Sequence, residues 1–135
     1  DKADILIMAA AVSDYQPVQF ENHKIKKATQ SDKLILELQE TPDILKSLKN
    51  LHTNQFVVGF AAETEDLLNN AKGKLRAKGA DMIVANDVSR HDIGFDVDEN
   101  AVTILQPNEP NIQISKENKK VIAKKVLEVI AKRFA

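Results

Sequence analysis

The chain has 135 residues, 43% of them apolar and 29% charged, with a formal net charge of −1, a composition typical of one globular domain and too neutral overall for a general nucleic-acid binder. It holds no cysteine, which excludes disulfides and thiolate metal sites, and its three histidines, His23, His52 and His91, lack metal-ligand spacing. No apolar run reaches the roughly 18 residues of a membrane span and no signal-peptide pattern opens the chain, so a cytoplasmic location and no membrane partner are expected.

Asp4 to Ala10 reads as a buried strand that breaks into small residues and then Asp14 and Tyr15. That is how a strand looks where it surfaces at its C-terminal end, the end at which open α/β sheets bind ligands. Gln16 to His23 contains Pro17 and follows neither period, and reads as a loop. Lys24 to Ala28 and Lys33 to Gln39 read as two strands around a turn, forming a hairpin flap over about 24–39. Lys24, Lys26 and Lys27 then stand at its base, where they offer charge to a polyanion or stay in solvent.

Thr41-Pro42-Asp43 predicts a helix start, with Thr41 as N-cap and Ile44, Leu45, Leu48 and Leu51 on one apolar face. Its free N–H groups either end in caps or hold a ligand's oxygens. Phe56 to Ala62 reads as a second buried strand followed by Glu63, with Gly59 marking the close approach of another backbone. Thr64 is expected to cap a helix that turns Leu67, Leu68, Ala71 and Leu75 inward. Lys74 and Lys78, four apart, share one of its faces, where they complement the helix dipole or meet an anion.

Asp81 to Asp87 reads as a third buried strand, with Asn86 and Asp87 either capping its end or touching a substrate. Val88 to Asp98 is a polar loop. Ala101 to Leu105 and Asn111 to Ser115 read as an antiparallel edge hairpin joined across Pro107 and Pro110. Ser115 is expected to cap a last helix with Val121, Ile122, Val126, Val129 and Ile130 on its apolar face.

Strands alternating with helices, with no repeat or linker between them, predict a single α/β domain over 1–135 with a mostly parallel sheet flanked by helices. Only three strands read as fully buried, so an N-terminal part of the fold is expected to be missing. There is no G-x-S-x-G, no P-loop and no G-x-G-x-x-G. Instead, three strand ends collect small residues and acids near two groups of lysines. Such a set can bind a nucleoside triphosphate and stabilise charge moving between its phosphates.

Five blocks in order make this specific: Ala-Ala-Val-Ser-Asp-Tyr at 10–15, Lys-Ile-Lys-Lys at 24–27, Thr-Pro-Asp-Ile-Leu at 41–45, Val-Gly-Phe-Ala-Ala-Glu-Thr at 58–64 and Ala-Asn-Asp-Val-Ser at 85–89. Together they resemble phosphopantothenoylcysteine synthetase, also called phosphopantothenate–cysteine ligase, an enzyme of coenzyme A biosynthesis often fused to a flavin decarboxylase. The resemblance implies a Rossmann-like fold and a two-step reaction. The carboxylate of 4′-phosphopantothenate attacks the α-phosphate of CTP to give an acyl-cytidylate and pyrophosphate, and cysteine's amine then displaces CMP.

Carried over by motif, the resemblance implies a nucleotide site at Met8, Ala10, Asp14, Lys24, Pro42, Asp43, Ile44, Leu45, Phe60, Lys74 and Lys78, with Lys24 as the catalytic lysine and no metal ligand among them. Mg²⁺ is expected with the nucleotide. Bacterial-type members use CTP and the human-type enzyme ATP, and these motifs look bacterial. A homodimer is also implied, with the 24–39 flap at its interface, and no nucleic acid. The family's glycine-containing N-terminal segment, with the Asn that serves the cysteine step, has no match here. The chain is therefore expected to be the C-terminal portion of the ligase module, incomplete for full turnover by itself. The alternative is a non-catalytic nucleotide-binding or dimerisation module of the same fold.

Overall fold

The computed structural model describes residues 3–25, 34–48, 54–90, 92–93 and 97–135, and the chain divides into two compact units. The larger comprises Asp1–Ala9 and Leu45–Ala135, the smaller Ala10–Ile44.

In the larger unit, strands β1 (Ile5–Met8), β4 (Phe56–Glu63), β5 (Met82–Asp87), β6 (Glu99–Leu105) and β7 (Ile112–Asn118) form one sheet in the order β1-β4-β5-β6-β7. The ladders β1–β4 and β4–β5 are parallel, while β5–β6 and β6–β7 are antiparallel. The mostly parallel sheet and the edge hairpin expected from the pattern are both present.

Alternation along the strands sorts the core into two layers. Phe56, Val58, Met82, Val84, Val102, Ile104 and Ile114 face helix α3 (Lys119–Ala131), which lays Ile122, Val126 and Ile130 on them at i, i+4 and i+8. On the opposite face Val57, Ala61, Ile83, Ala85 and Leu105 meet Ala71 and Leu75 of helix α2 (Leu67–Lys78).

Asp81 ties the start of β5 to its neighbour, because its backbone N–H donates to the Val57 carbonyl (2.9 Å) and its Oδ2 accepts from the Val57 N–H (2.8 Å). Sequence reasoning gave this aspartate no role, since nothing local marks a contact made 24 residues away.

The extent of the chain's first strand and the starts of its last two helices differ from expectation. The strand read as buried over 4–10 is shorter and lies at a sheet edge, leaving Ile5 and Ile7 39% and 42% exposed. Helix α2 is preceded not by Thr64 but by Asp66, whose φ of 44° and ψ of 49° turn the chain in the left-handed region, with its carboxylate accepting from Asn69 Nδ2. Helix α3 is capped by Asn118, whose Oδ1 accepts from the Lys120 N–H at 3.0 Å, rather than by Ser115. Residues 115–118 stay extended because the β6–β7 ladder continues through Glu99↔Asn118 and Asn100↔Glu117. The end of α2 is conventional: Gly79 takes φ 64°, and the N–H groups of Gly79 and Ala80 close on Arg76 and Leu75.

The smaller unit contains strands β2 (Tyr15–Pro17) and β3 (Leu38–Glu40), paired antiparallel with Tyr15 opposite Glu40. Its ladder thus runs from 38–40 to a segment read as loop. Residues 26–33 of the expected 24–39 hairpin, with Lys26 and Lys27, lie outside the described residues. Helix α1 (Ile44–Leu48) begins where the chain passes from the smaller to the larger unit. Asp43, not Thr41, immediately precedes it, and Leu51 lies outside the described residues.

Candidate functional site

The larger unit's candidate residues lie on β1, β4 and helices α1 and α2. Met8 is paired with Gly59 and shares its side of the sheet with Val57 and Ala61. A Cβ on Gly59 would stand 2.9 Å from Ile83 Cδ1 and 3.1 Å from Leu45 Cδ1. The glycine therefore accommodates two side chains, where the sequence suggested a backbone, and it seats Leu45 over the end of β4.

Two residues beyond Ala61 on the same face, Glu63 turns its carboxylate toward α2. There Lys74 Nζ lies 2.7 Å from Glu63 Oε1, with the lysine side chain 45% exposed and the glutamate side chain 12% exposed. Helical side chains lean toward the helix N-terminus. Lys74 accordingly reaches back past Ala71 toward the strand end. The ion pair is close but off the angle of a directed hydrogen bond, so the buried Oε1 has no hydrogen-bond donor. Lys78 follows one turn later and is half-buried. Phe60 stands on the opposite face of β4, in line with Phe56 and Val58, and is 43% exposed.

In the smaller unit, the Thr41 N–H donates to the Asp14 carbonyl (2.9 Å) and Thr41 Oγ1 donates to the Ser13 carbonyl (2.6 Å). Ser13 Oγ donates in turn to the Tyr15 carbonyl. These bonds hold Ser13–Asp14 against the Thr41–Pro42–Asp43 stretch, so two of the five sequence blocks meet. Ala10, Asp14, Lys24, Pro42 and Ile44 are exposed and Asp43 is half-buried. The structure thus places Met8, Leu45, Phe60, Lys74 and Lys78 in one unit, with Phe60 on the face of β4 opposite Glu63 and its partner Lys74, and Ala10, Asp14, Lys24, Pro42, Asp43 and Ile44 in the other.

Asp87 caps its strand end. Its Oδ1 accepts from the Ser89 N–H (2.9 Å) and Oγ (2.6 Å), and the Ser89 hydroxyl chiefly holds the carboxyl below the usual range. Beyond it Arg90 makes two hydrogen bonds to Asp92, whose carboxyl is pushed down to about 2, first by Arg90 and less by Lys116. Lys116 also pairs with Glu99, tying this loop to the edge hairpin. A cavity of about 330 Å³ between β7 and α3, lined by residues such as Ile114, Lys125 and Val129, contains none of the candidate nucleotide-site residues. Among the described residues no three metal-ligating side chains come together, and no helix is long and apolar enough to cross a membrane.

Sequence reasoning left Glu63 without a partner. Parity puts Glu63 on the face of Ala61, and the fold places the helix that carries Lys74 on that face.

Comparison with known proteins agrees with the motif resemblance. The coenzyme A biosynthesis bifunctional protein CoaBC of Bacillus subtilis (strain 168) is 49% identical over 105 residues, covering 78% of this chain and 25% of that protein. Its counterpart in Vibrio parahaemolyticus serotype O3:K6 (strain RIMD 2210633) is 39% identical over 126 residues, covering 93% of this chain and 31% of that protein. This chain therefore spans between a quarter and a third of the length of these curated relatives. The crystal structure of the C-terminal domain of a CoaBC protein superposes with a TM-score of 0.74 at 34% identity, covering 97% of this chain and 55% of that one. The model of the DNA/pantothenate metabolism flavoprotein C-terminal domain matches residues 1–134, and the chain belongs to that family.

Proposed function

We propose that this chain is the nucleotide-binding part of a phosphopantothenate–cysteine ligase in coenzyme A biosynthesis. The reaction it serves joins 4′-phosphopantothenate to cysteine through an acyl-cytidylate made from CTP. The observation that best supports this reading is the half-exposed Lys74 ammonium, held at the C-terminal end of a parallel strand in a chain of this family.

Lys24 neutralises charge on the α-phosphate and acyl oxygens as the intermediate forms and breaks. Lys74 and Lys78 face the β- and γ-phosphates. Phe60 offers its ring to the base, Met8 and Ala10 line the nucleotide through their backbones, the Pro42–Leu45 turn presents backbone groups for recognition, and Asp14 anchors a polar group. Mg²⁺ suits this donor set as an ion carried on the phosphates and largely hydrated, because such an ion needs no protein cage. When bound it shares the neutralisation of the leaving pyrophosphate.

A homodimer goes with the same reading. Phe20 and Ile35 of the smaller unit are 85% and 88% exposed, apolar surface of the kind that marks a protein interface. A flavin decarboxylase domain in the full-length protein is proposed from its bifunctional relatives, and the cysteine step is assigned to residues outside the blocks found here.

Thermal unfolding in CTP and in ATP tests the nucleotide site. CTP at about 100 times its Kd should stabilise the chain by about 2.7 kcal/mol, a rise of several degrees in Tm, with ATP weaker. If neither nucleotide shifts Tm, the site is wrongly assigned.

A further inference from the structure

We infer that Glu63 is a positioning residue, which fixes the Lys74 ammonium in advance for the phosphates of the nucleotide. The inference rests on the nucleotide reading of Lys74 given above and adds a residue to it.

A lysine at a helix surface carries a flexible four-carbon stem, and ordering such a side chain on binding costs conformational entropy. Here that freedom is already restricted. Glu63 Oε1 lies 2.7 Å from Lys74 Nζ, and the carboxylate stands on backbone bound to the neighbouring strand β5. Residue 63 pairs with Asp87 in the parallel ladder, and its carbonyl accepts the Val88 N–H at 2.9 Å.

The exposures give the pair a direction. The glutamate side chain is 12% exposed and the lysine 45%, so an arriving anion meets the ammonium first, with the carboxylate behind it. An ammonium has three donors. The pair with Glu63 is held by charge and not by an aligned hydrogen bond, so these donors remain for phosphate oxygens.

The buried Oε1 has no hydrogen-bond donor, so Lys74 is the charge that compensates it. A half-buried carboxylate left without its cation is costly. The lysine is thereby kept at the strand end instead of spreading into solvent. The glutamate's own negative charge is screened from the ligand by the ammonium it holds. Its net effect on triphosphate binding is therefore favourable, through a lysine that is pre-ordered.

Calorimetric titration of the full chain with CTP, in a double-mutant cycle of Glu63→Gln and Lys74→Met, tests this. Lys74→Met should weaken binding about tenfold or more. Glu63→Gln, which keeps the shape and removes the charge, should weaken it about tenfold when Lys74 is present and leave it unchanged when Lys74 is already Met. Glu63→Asp, one methylene shorter, should fall between wild type and Glu63→Gln. Unfolding curves for the same variants separate a structural role, which would lower Tm without coupling the two residues in binding.

If Lys74→Met leaves CTP affinity unchanged, the nucleotide reading of that lysine is wrong and the inference goes with it. If Lys74→Met weakens binding but Glu63→Gln leaves it unchanged or tighter, or weakens it equally without Lys74, the reading stands and the positioning role is wrong.

Discussion

The two units of this chain handle apolar surface in opposite ways. The larger buries a two-layer core on both faces of its sheet, with Met82, Ile83, Ile104 and Leu105 almost fully removed from water. In the smaller, every described residue is exposed except the half-buried Thr41 and Asp43, and Val12, Tyr15, Phe20, Ile35 and Leu36 are among the open apolar side chains. Its described order comes from a three-pair ladder and the hydrogen bonds of Thr41 to Ser13 and Asp14. The contrast separates two tasks. A packed sheet can hold Lys74 in one place with its own core, whereas the described part of the unit bearing Lys24 leaves its apolar side chains open.

That contrast can be broken by substitution. Ile104→Ala or Leu75→Ala should lower unfolding stability by about 2–5 kcal/mol, because each leaves a cavity between sheet and helix. Leu36→Ala, on open surface, should stay within about 0.5 kcal/mol by the same denaturant titration. Equal losses at the two kinds of site would remove the distinction between the units.

Gly59→Ala sharpens the picture of the larger unit and should cost about 1–3 kcal/mol, since the new Cβ meets Ile83 and Leu45 at 2.9 and 3.1 Å. Leu45 is only partly buried and can give way, but Ile83 is packed and cannot do so cheaply. Combining Gly59→Ala with Leu45→Ala should recover part of that loss.

For the smaller unit, Phe20→Ser with Ile35→Ser should leave Tm nearly unchanged while shifting the chain toward monomer in sedimentation equilibrium. Unaltered association would show that this surface is not the dimer contact.

The smallest effect concerns pH. Asp92 is depressed in the folded chain, to about 2 from 3.8. Its contribution is therefore present above the unfolded value and lost as pH falls through the folded one. Wild type should lose slightly more Tm than Asp92→Asn between about pH 4 and pH 2.

Much of the larger unit could be read from periodicity, because burial there is dictated by residues near in sequence. The apolar runs at 56–62 and 81–87 became β4 and β5, and the helical stripe Ile122, Val126, Ile130 became the buried face of α3. What was misread depended on distant partners. Ser115 has the chemistry of a cap, but pairing with β6 keeps the chain extended to Asn118. Thr41 likewise looks like a cap, yet its hydroxyl bonds to Ser13, 28 residues earlier. The β2–β3 ladder joins segments that no local pattern connects.

Among the candidate site residues, Lys74 and Lys78 share a helix face by their spacing and are assigned by the resemblance, while the ion pair of Lys74 with Glu63 required knowing that α2 lies on the same face as Ala61. Lys24 was singled out only by motif, because one exposed lysine on an irregular segment leaves no trace in periodicity.

The central claim meets its most direct test in pyrophosphate release from CTP, driven by 4′-phosphopantothenate with cysteine absent, in the full-length protein. Release should require 4′-phosphopantothenate and should fall by about 100-fold or more in Lys24→Ala. Release that ignores 4′-phosphopantothenate, or an undiminished rate in Lys24→Ala, would contradict the account.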